Sequence, residues 1–270
     1  MKGLVATNRG DLSLESTGAG PDLILLHSLL TDQDAFDPIV PLLSERWRVN
    51  KVGLPGFGRS TRCEPSIDAF ADSVGALLET GRFDPRTTTL IGNGFGGFVA
   101  LGTAIRHGGL FDRLILIGCG TGFAPDAAEV FDTMAGKVAG GGMATVVEIA
   151  LGRIFTAAYL ADHPEKAEER RQVLLRTDPE SFIIAARALR SVDYSLQAPG
   201  VQNPTLIVVG SEDQATPPAM GEELASRMPM AKFRLLPGLA HAPQLQDPQA
   251  LVEAIRSFLP DVPPTLTGRL

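Results

Sequence analysis

The chain has 270 residues, 44% of them hydrophobic and 20% charged, which suits one large globular domain or a domain carrying an insertion. A net charge of −7 and a pI near 5.2 exclude a surface built to hold nucleic acid or an anionic membrane. Two cysteines, Cys63 and Cys119, are too few for a disulfide framework and fit a reducing compartment.

The stretch up to Thr7 reaches the polar turn Asn8-Arg9-Gly10 too soon to hold a signal-peptide core, and the longest apolar runs are only strand-length. A cytoplasmic protein with no membrane span is therefore expected. Residues 3–7 and 11–15 read as a hairpin across that turn. Leu23-Ile24-Leu25-Leu26 is a continuous apolar run, as in a strand buried on both faces. It leads into His27-Ser28-Leu29-Leu30-Thr31-Asp32, with a short helix expected near 38–44 and a strand at 47–52. A Gly/Pro-rich loop, 53–60, precedes a helix at 66–80 spaced by Ile67, Phe70, Val74, Leu77 and Leu78.

A short strand at 88–91 then enters Gly92-Asn93-Gly94-Phe95-Gly96-Gly97, and a helix is expected from 98 to 106. Another buried strand follows at 114–118. Alternation of buried strands with helices predicts a parallel sheet covered on both faces. From about 123 to 196 no buried strand can be read, and helical spacing prevails, with Gly140-Gly141-Gly142 as a flexible joint. The sheet resumes with strands at 204–210 and 232–236 and helices at 219–228 and 248–258. The Pro-rich tail 260–270 is expected to lie loosely on the surface. The predicted organisation is a core in two parts, 1–122 and 198–270, with a helical cap at 123–197.

A strand, a glycine-crowded turn and a helix make the joint on which some hydrolases expose a nucleophile, with the pattern G-x-S-x-G. Gly92 and Gly96 occupy the outer positions here, but the centre is Gly94, which has no oxygen to attack with. The same residues also read as G-x-G-x-x-G, the dinucleotide fingerprint. That reading wants an acidic residue about twenty positions on, near the end of the next strand. The strand ends Leu116-Ile117-Gly118-Cys119-Gly120 instead. No ligand spacing for a metal is present among the histidines and cysteines.

With these motifs the chain resembles the α/β-hydrolase family over almost its whole length. The loop His27–Asp32 followed by Phe36-Asp37-Pro38 resembles that of 3-oxoadipate enol-lactonases. The turn Gly92-Asn93-x-Phe95-Gly96-Gly97 is similar to that of meta-cleavage-product hydrolases. Gly210-x-x-Asp213-x-x-Thr216-Pro217 and Ala240-His241-x-Pro243 look like the acid and histidine regions of the family. The resemblance implies an eight-stranded, mostly parallel sheet with helices on both faces and a helical cap. It implies Gly94 at the nucleophile position, where Ser is expected, Asp213 as the acid and His241 as the base. Backbone N–H groups of Leu29 and Phe95 would form the oxyanion hole. Ser28 stands where many relatives carry Gly and reads as a turn serine rather than a substitute nucleophile. Gly53, where relatives often carry Asp, is a second departure.

Ser28, Arg153, Phe155, Arg187 and Tyr194 are candidate substrate contacts, with an arginine suited to a carboxylate. The implied activity is hydrolysis of an ester, lactone or related carbonyl of a small organic acid, with no cofactor, no nucleic acid and no membrane. Assembly as a homodimer stays open. With Gly94 the acyl-enzyme route is expected to be absent or very slow, whether the glycine is natural or an introduced Ser→Gly change. Two alternatives remain: a cofactor-free lyase or water-activating hydrolase run by His241 with Asp213, and a ligand receptor without turnover.

Overall fold

A computed structural model describes residues 2–261, so the expected surface tail lies, from residue 262 on, outside the described residues. β1 (Lys2–Thr7) and β2 (Gly10–Thr17) form the expected hairpin, with Thr7 opposite Gly10. β3 (Asp22–Leu26) is buried throughout. A 3₁₀ turn and α1 (Val40–Leu43) lead to β4 (Arg48–Gly53). α2 (Ile67–Leu78) starts at Ser66, whose Oγ accepts the Ala69 N–H at 3.2 Å, an N-cap that satisfies one free donor of the first turn. β5 (Thr89–Asn93), α3 (Phe95–His107) and β6 (Arg113–Ile117) follow.

The long helical segment contains α4 (Pro125–Gly141), α5 (Val147–Ile154), α6 (Ala157–Asp162), α7 (Pro164–Arg176) and α8 (Pro179–Arg190). Its two ends are pinned together by a β-bridge between Gly122 and Asp193. The joint read at Gly140-Gly141-Gly142 is shorter than expected. Gly140 and Gly141 complete α4, and only Gly142, at φ +73°, breaks it. The chain then returns through β7 (Thr205–Gly210), α9 (Pro218–Arg227), β8 (Ala231–Leu236), α10 (Pro243–Gln246) and α11 (Pro248–Phe258).

The eight strands lie in the order β1-β2-β4-β3-β5-β6-β7-β8; β1, β2 and β4 pair antiparallel, and every later pairing is parallel. Period-2 alternation splits the inner strands between two cores. Ile24, Leu26, Leu114 and Leu116 face α2, α3 and the helical insert, whereas Leu23, Leu25, Ile115 and Ile117 face α1 and α11. Among the described residues no helix is long and apolar enough to cross a membrane.

α3 begins at Phe95 rather than at residue 98, because the glycines serve different ends. Gly94 alone makes the turn, at φ +54°. Gly96 lies inside α3, where a Cβ would overlap the Leu26 carbonyl, and a Cβ on Gly92 would overlap the Gly96 carbonyl. Both glycines let the helix lie directly on the strands. Replacing Gly96 with Ala should therefore lower stability by at least about 1–3 kcal/mol, the usual cost of overpacking. Urea unfolding measures this, and an unchanged midpoint would contradict the close packing.

Candidate active site

The loops at the carboxyl ends of the parallel strands carry the candidate residues. The connection from β3 runs to β4 on one side and the connection from its neighbour β5 runs to β6 on the other, so a crevice opens between the exits of β3 and β5. Leu26 pairs with Gly92 in this register. Two residues further along each strand stand Ser28 and Gly94.

The loop after β3 is fixed from both sides. The Leu54 N–H donates to His27 Nε2 at 3.2 Å, which leaves the proton on Nδ1, and Nδ1 donates to the Ser28 carbonyl at 2.9 Å. Burial lowers the His27 pKa, so the neutral ring is favoured. The Ser28 N–H donates to Thr31 Oγ1 at 3.1 Å, and the Thr31 N–H and hydroxyl both point at the Ser28 carbonyl. Leu29 and Phe95 are buried, and neither backbone N–H has a hydrogen-bond acceptor among the described residues. Phe95 also opens α3, where first-turn N–H groups carry partial positive charge.

Asp213 follows β7 and His241 follows β8; they are 3% and 5% exposed. His241 Nδ1 donates to Asp213 Oδ2 at 2.9 Å. Three more donors reach the same carboxylate: the Ala215 and Thr216 N–H groups at 2.8 and 2.9 Å, and the Thr216 hydroxyl at 2.9 Å. Burial alone would raise the Asp213 pKa, but the His241 charge and the bonds from His241 and Thr216 outweigh it and hold it below the ordinary aspartate value. With Nδ1 committed to Asp213, His241 Nε2 is free to accept a proton. It faces the space above Gly94, where a built Cβ would overlap both Nε2 and Ser28 Oγ. Ser28 Oγ lies 3.3 Å from Nε2.

A small, mainly apolar cavity of about 30 Å³ adjoins this point, lined by Ser28, Gly94 and His241 beneath Phe123, Phe131 and Met134 of the insert and its approach. Arg153 enters from α5, with Nη2 donating to the Ala215 carbonyl at 3.4 Å. Burial lowers its pKa against the opposing pull of Asp213. Among the described residues no carboxylate lies within ion-pair distance of it.

The other candidate contacts lie elsewhere. Phe155 stacks on Tyr159 and lines a separate charged cleft beside Asp32 and Arg170. Arg187 is on the exposed face of α8, opposite buried Ala185 and Leu189. The Tyr194 hydroxyl donates to Asp68 Oδ1 at 2.7 Å, which holds the ring against α2 and α3, away from the cavity. Buried Cys119 has its thiol pKa pushed up by desolvation, which suits a packing role.

Three positioning contacts escaped the reading of the sequence: His27, Asn93 and Gln244. Asn93 Nδ2 donates to the His241 carbonyl at 2.9 Å and Gln244 Nε2 donates to Asn93 Oδ1 at 2.9 Å, tying the histidine loop to the turn. The glycine-rich motif marks Asn93, but nothing local in the sequence marks a contact across 148 positions.

Residues 23–254 match the alpha/beta hydrolase family. The chain is 29% identical over 262 residues to the pimeloyl-[acyl-carrier protein] methyl ester esterase of Aeromonas hydrophila subsp. hydrophila, covering 92% of this chain and 99% of that one. Among solved structures, the enol-lactonase of Burkholderia xenovorans LB400 is similar at a TM-score of 0.87 and 27% identity, covering 95% of this chain and 99% of that one. A meta-cleavage product hydrolase from Pseudomonas fluorescens IP01 shares the fold at a TM-score of 0.78 and 21% identity, covering 95% of this chain and 96% of that one. The likeness to an enol-lactonase parallels the resemblance read in the His27–Asp32 loop. The methyl ester esterases were suggested by no motif.

The lowered Asp213 pKa fixes a sign. The ionised, hydrogen-bonded carboxylate contributes its full stability above the ordinary value of 3.8 and loses it as pH falls through the lower folded value. The stability gap between the wild type and Asp213→Asn should therefore narrow roughly between pH 5 and pH 2. Urea unfolding across that range tests it, and a gap that stays constant or widens would contradict the assignment.

Proposed function

The chain belongs to the alpha/beta hydrolase family, and we propose that it hydrolyses a carboxylic ester or lactone of a small, carboxylate-bearing acid with His241 as general base. The observation that carries this reading is the buried His241–Asp213 pair, bonded at 2.9 Å, with Nε2 turned toward the space above Gly94. Asp213 holds the imidazole in the tautomer that leaves Nε2 as acceptor and stabilises the imidazolium once it forms. Nε2 takes the proton of an attacking hydroxyl or water. The carbonyl oxygen, gaining charge, is received by the N–H groups of Leu29 and Phe95, which are preorganised and shielded from water. The departing alkoxide recovers the proton from His241.

No acyl-enzyme forms at position 94, since glycine has no side-chain oxygen. The intact dyad supports catalysis through another nucleophile. A protein kept only for binding has no need of a base bonded to a buried carboxylate that four donors hold ionised. Relatives named for a methyl ester and for an enol-lactone support a carboxylic-ester bond as the target. Arg153, without an ion-pair partner among the described residues and half buried beside the cavity, supports an acid that carries a second carboxylate, held by charge-assisted hydrogen bonds.

Replacing His241 with Ala should lower kcat/KM for aryl esters and enol-lactones by about 10²–10⁴-fold. Full activity in that variant would overturn the reading, and ligand binding without turnover in both proteins would favour a receptor. Replacing Arg153 with Met should raise KM for esters bearing a free carboxylate roughly tenfold to a hundredfold while leaving neutral esters almost unchanged. Equal effects on both classes would remove Arg153 from carboxylate recognition.

A further inference from the structure

His241 Nε2 already has a hydroxyl before it. We propose that Ser28, from the loop after β3, is the nucleophile of this enzyme, standing in for the missing side chain at position 94. The proposal rests on the reading of His241 as general base and adds to it the group that attacks.

The sequence suggested a turn serine, and the structure separates the turn from the hydroxyl. The turn is closed by the Ser28 backbone: its N–H on Thr31 Oγ1, and its carbonyl receiving the Thr31 N–H, the Thr31 hydroxyl and His27 Nδ1. Ser28 Oγ takes no part in it. Among the described residues its one hydrogen-bond partner is His241 Nε2, at 3.3 Å. Ser28 is 2% exposed and lines the cavity together with His241, Leu29 and Phe95.

The oxyanion donors suit this exchange. In the family's usual arrangement, one donor is the N–H after the nucleophile and the other comes from the loop after the third strand. Leu29 follows Ser28 and Phe95 follows Gly94, so moving the hydroxyl across the crevice swaps the two roles and keeps the pair. Ser28 also avoids the strain of the turn. No described residue other than glycine has a positive φ, whereas a side chain at position 94 would carry the cost of the left-handed region, about 1–3 kcal/mol. Gly94 further supplies room: a Cβ there would overlap Ser28 Oγ and His241 Nε2, so the Ser28–His241 contact needs the glycine.

The reaction then runs in two halves. Ser28 Oγ gives its proton to His241 Nε2 and bonds to the carbonyl carbon, and the C=O electron pair moves to the oxygen held by Leu29 and Phe95. Collapse breaks the bond to the alkoxy oxygen, which takes the proton from His241, leaving an ester on Ser28. Water gives a proton to His241 and its oxygen bonds to the acyl carbon. The Ser28 oxygen leaves and recovers that proton. The sum is ester plus water giving acid plus alcohol.

The test uses the full-length protein and a fluorophosphonate, with the adduct located by peptide mass spectrometry. An adduct on Ser28 that disappears in Ser28→Ala and in His241→Ala is expected. With it, aryl-ester hydrolysis should fall at least about 10³-fold in Ser28→Ala, a loss of the kind seen when a serine nucleophile is removed. Undiminished hydrolysis in Ser28→Ala would overturn the assignment and make water the attacking group. No adduct on Ser28, in a preparation whose Gly94→Ser variant is labelled at position 94, would also overturn it and leave His241 as base. No adduct in either protein, with His241→Ala unchanged in activity, would overturn both readings. An unaltered melting temperature for Ser28→Ala separates chemistry from misfolding.

Discussion

Strand register governs this molecule. Pairing of Leu26 with Gly92 sets the exits of β3 and β5 level with each other. Reversal of strand order at that point leaves a crevice for the two loops to fill. A slip of one residue would turn every side chain of β3 to the other face, exchanging the two cores. Ser28 and Gly94 meet over His241 because that register holds, and His241 arrives there because β8 ends beside β7, where Asp213 waits.

Around the crevice, hydrogen bonds fix the candidate residues. Asp213 is buried, which disfavours its charge, and four donors more than offset that cost. His27 spends both ring nitrogens on fixing the loop that holds Leu29. Asn93 joins the turn to the carbonyl of His241 itself. Each link shortens the range over which His241, Ser28 and the N–H groups of Leu29 and Phe95 can drift, and in the proposed mechanism such displacements would be costly in rate. Above them Phe123, Phe131 and Met134 line a cavity of about 30 Å³.

Much of this was legible in the sequence. The inner strands β3, β5, β6 and β7 were marked by apolar runs between turn residues, and the break in that pattern after residue 123 marked the helical insert. That Asp213 and His241 would meet was readable because each follows a strand in a recognisable motif. What stayed hidden depended on contact at long range. The partner of Ser28 lies 213 positions away, and only register and the missing side chain at 94 bring it within reach. Arg187 and Tyr194 were plausible from residue type, but the rotation of α8 faces one outward and Asp68 draws the other to the core. Helix α3 starts at Phe95, ahead of the expected residue 98, because Gly96 and Gly97 belong to the helix, where Gly96 admits the Leu26 carbonyl.

The most direct measurement is a side-by-side assay of the parent and its Gly94→Ser variant on aryl esters and enol-lactones. If His241 already works on a nucleophile outside the turn, the parent hydrolyses such a substrate well above the buffer rate. The added side chain, which would crowd Ser28 and His241, then brings no gain. A silent parent and a variant activated by orders of magnitude would contradict this, and would make the protein a serine hydrolase scaffold lacking its nucleophile.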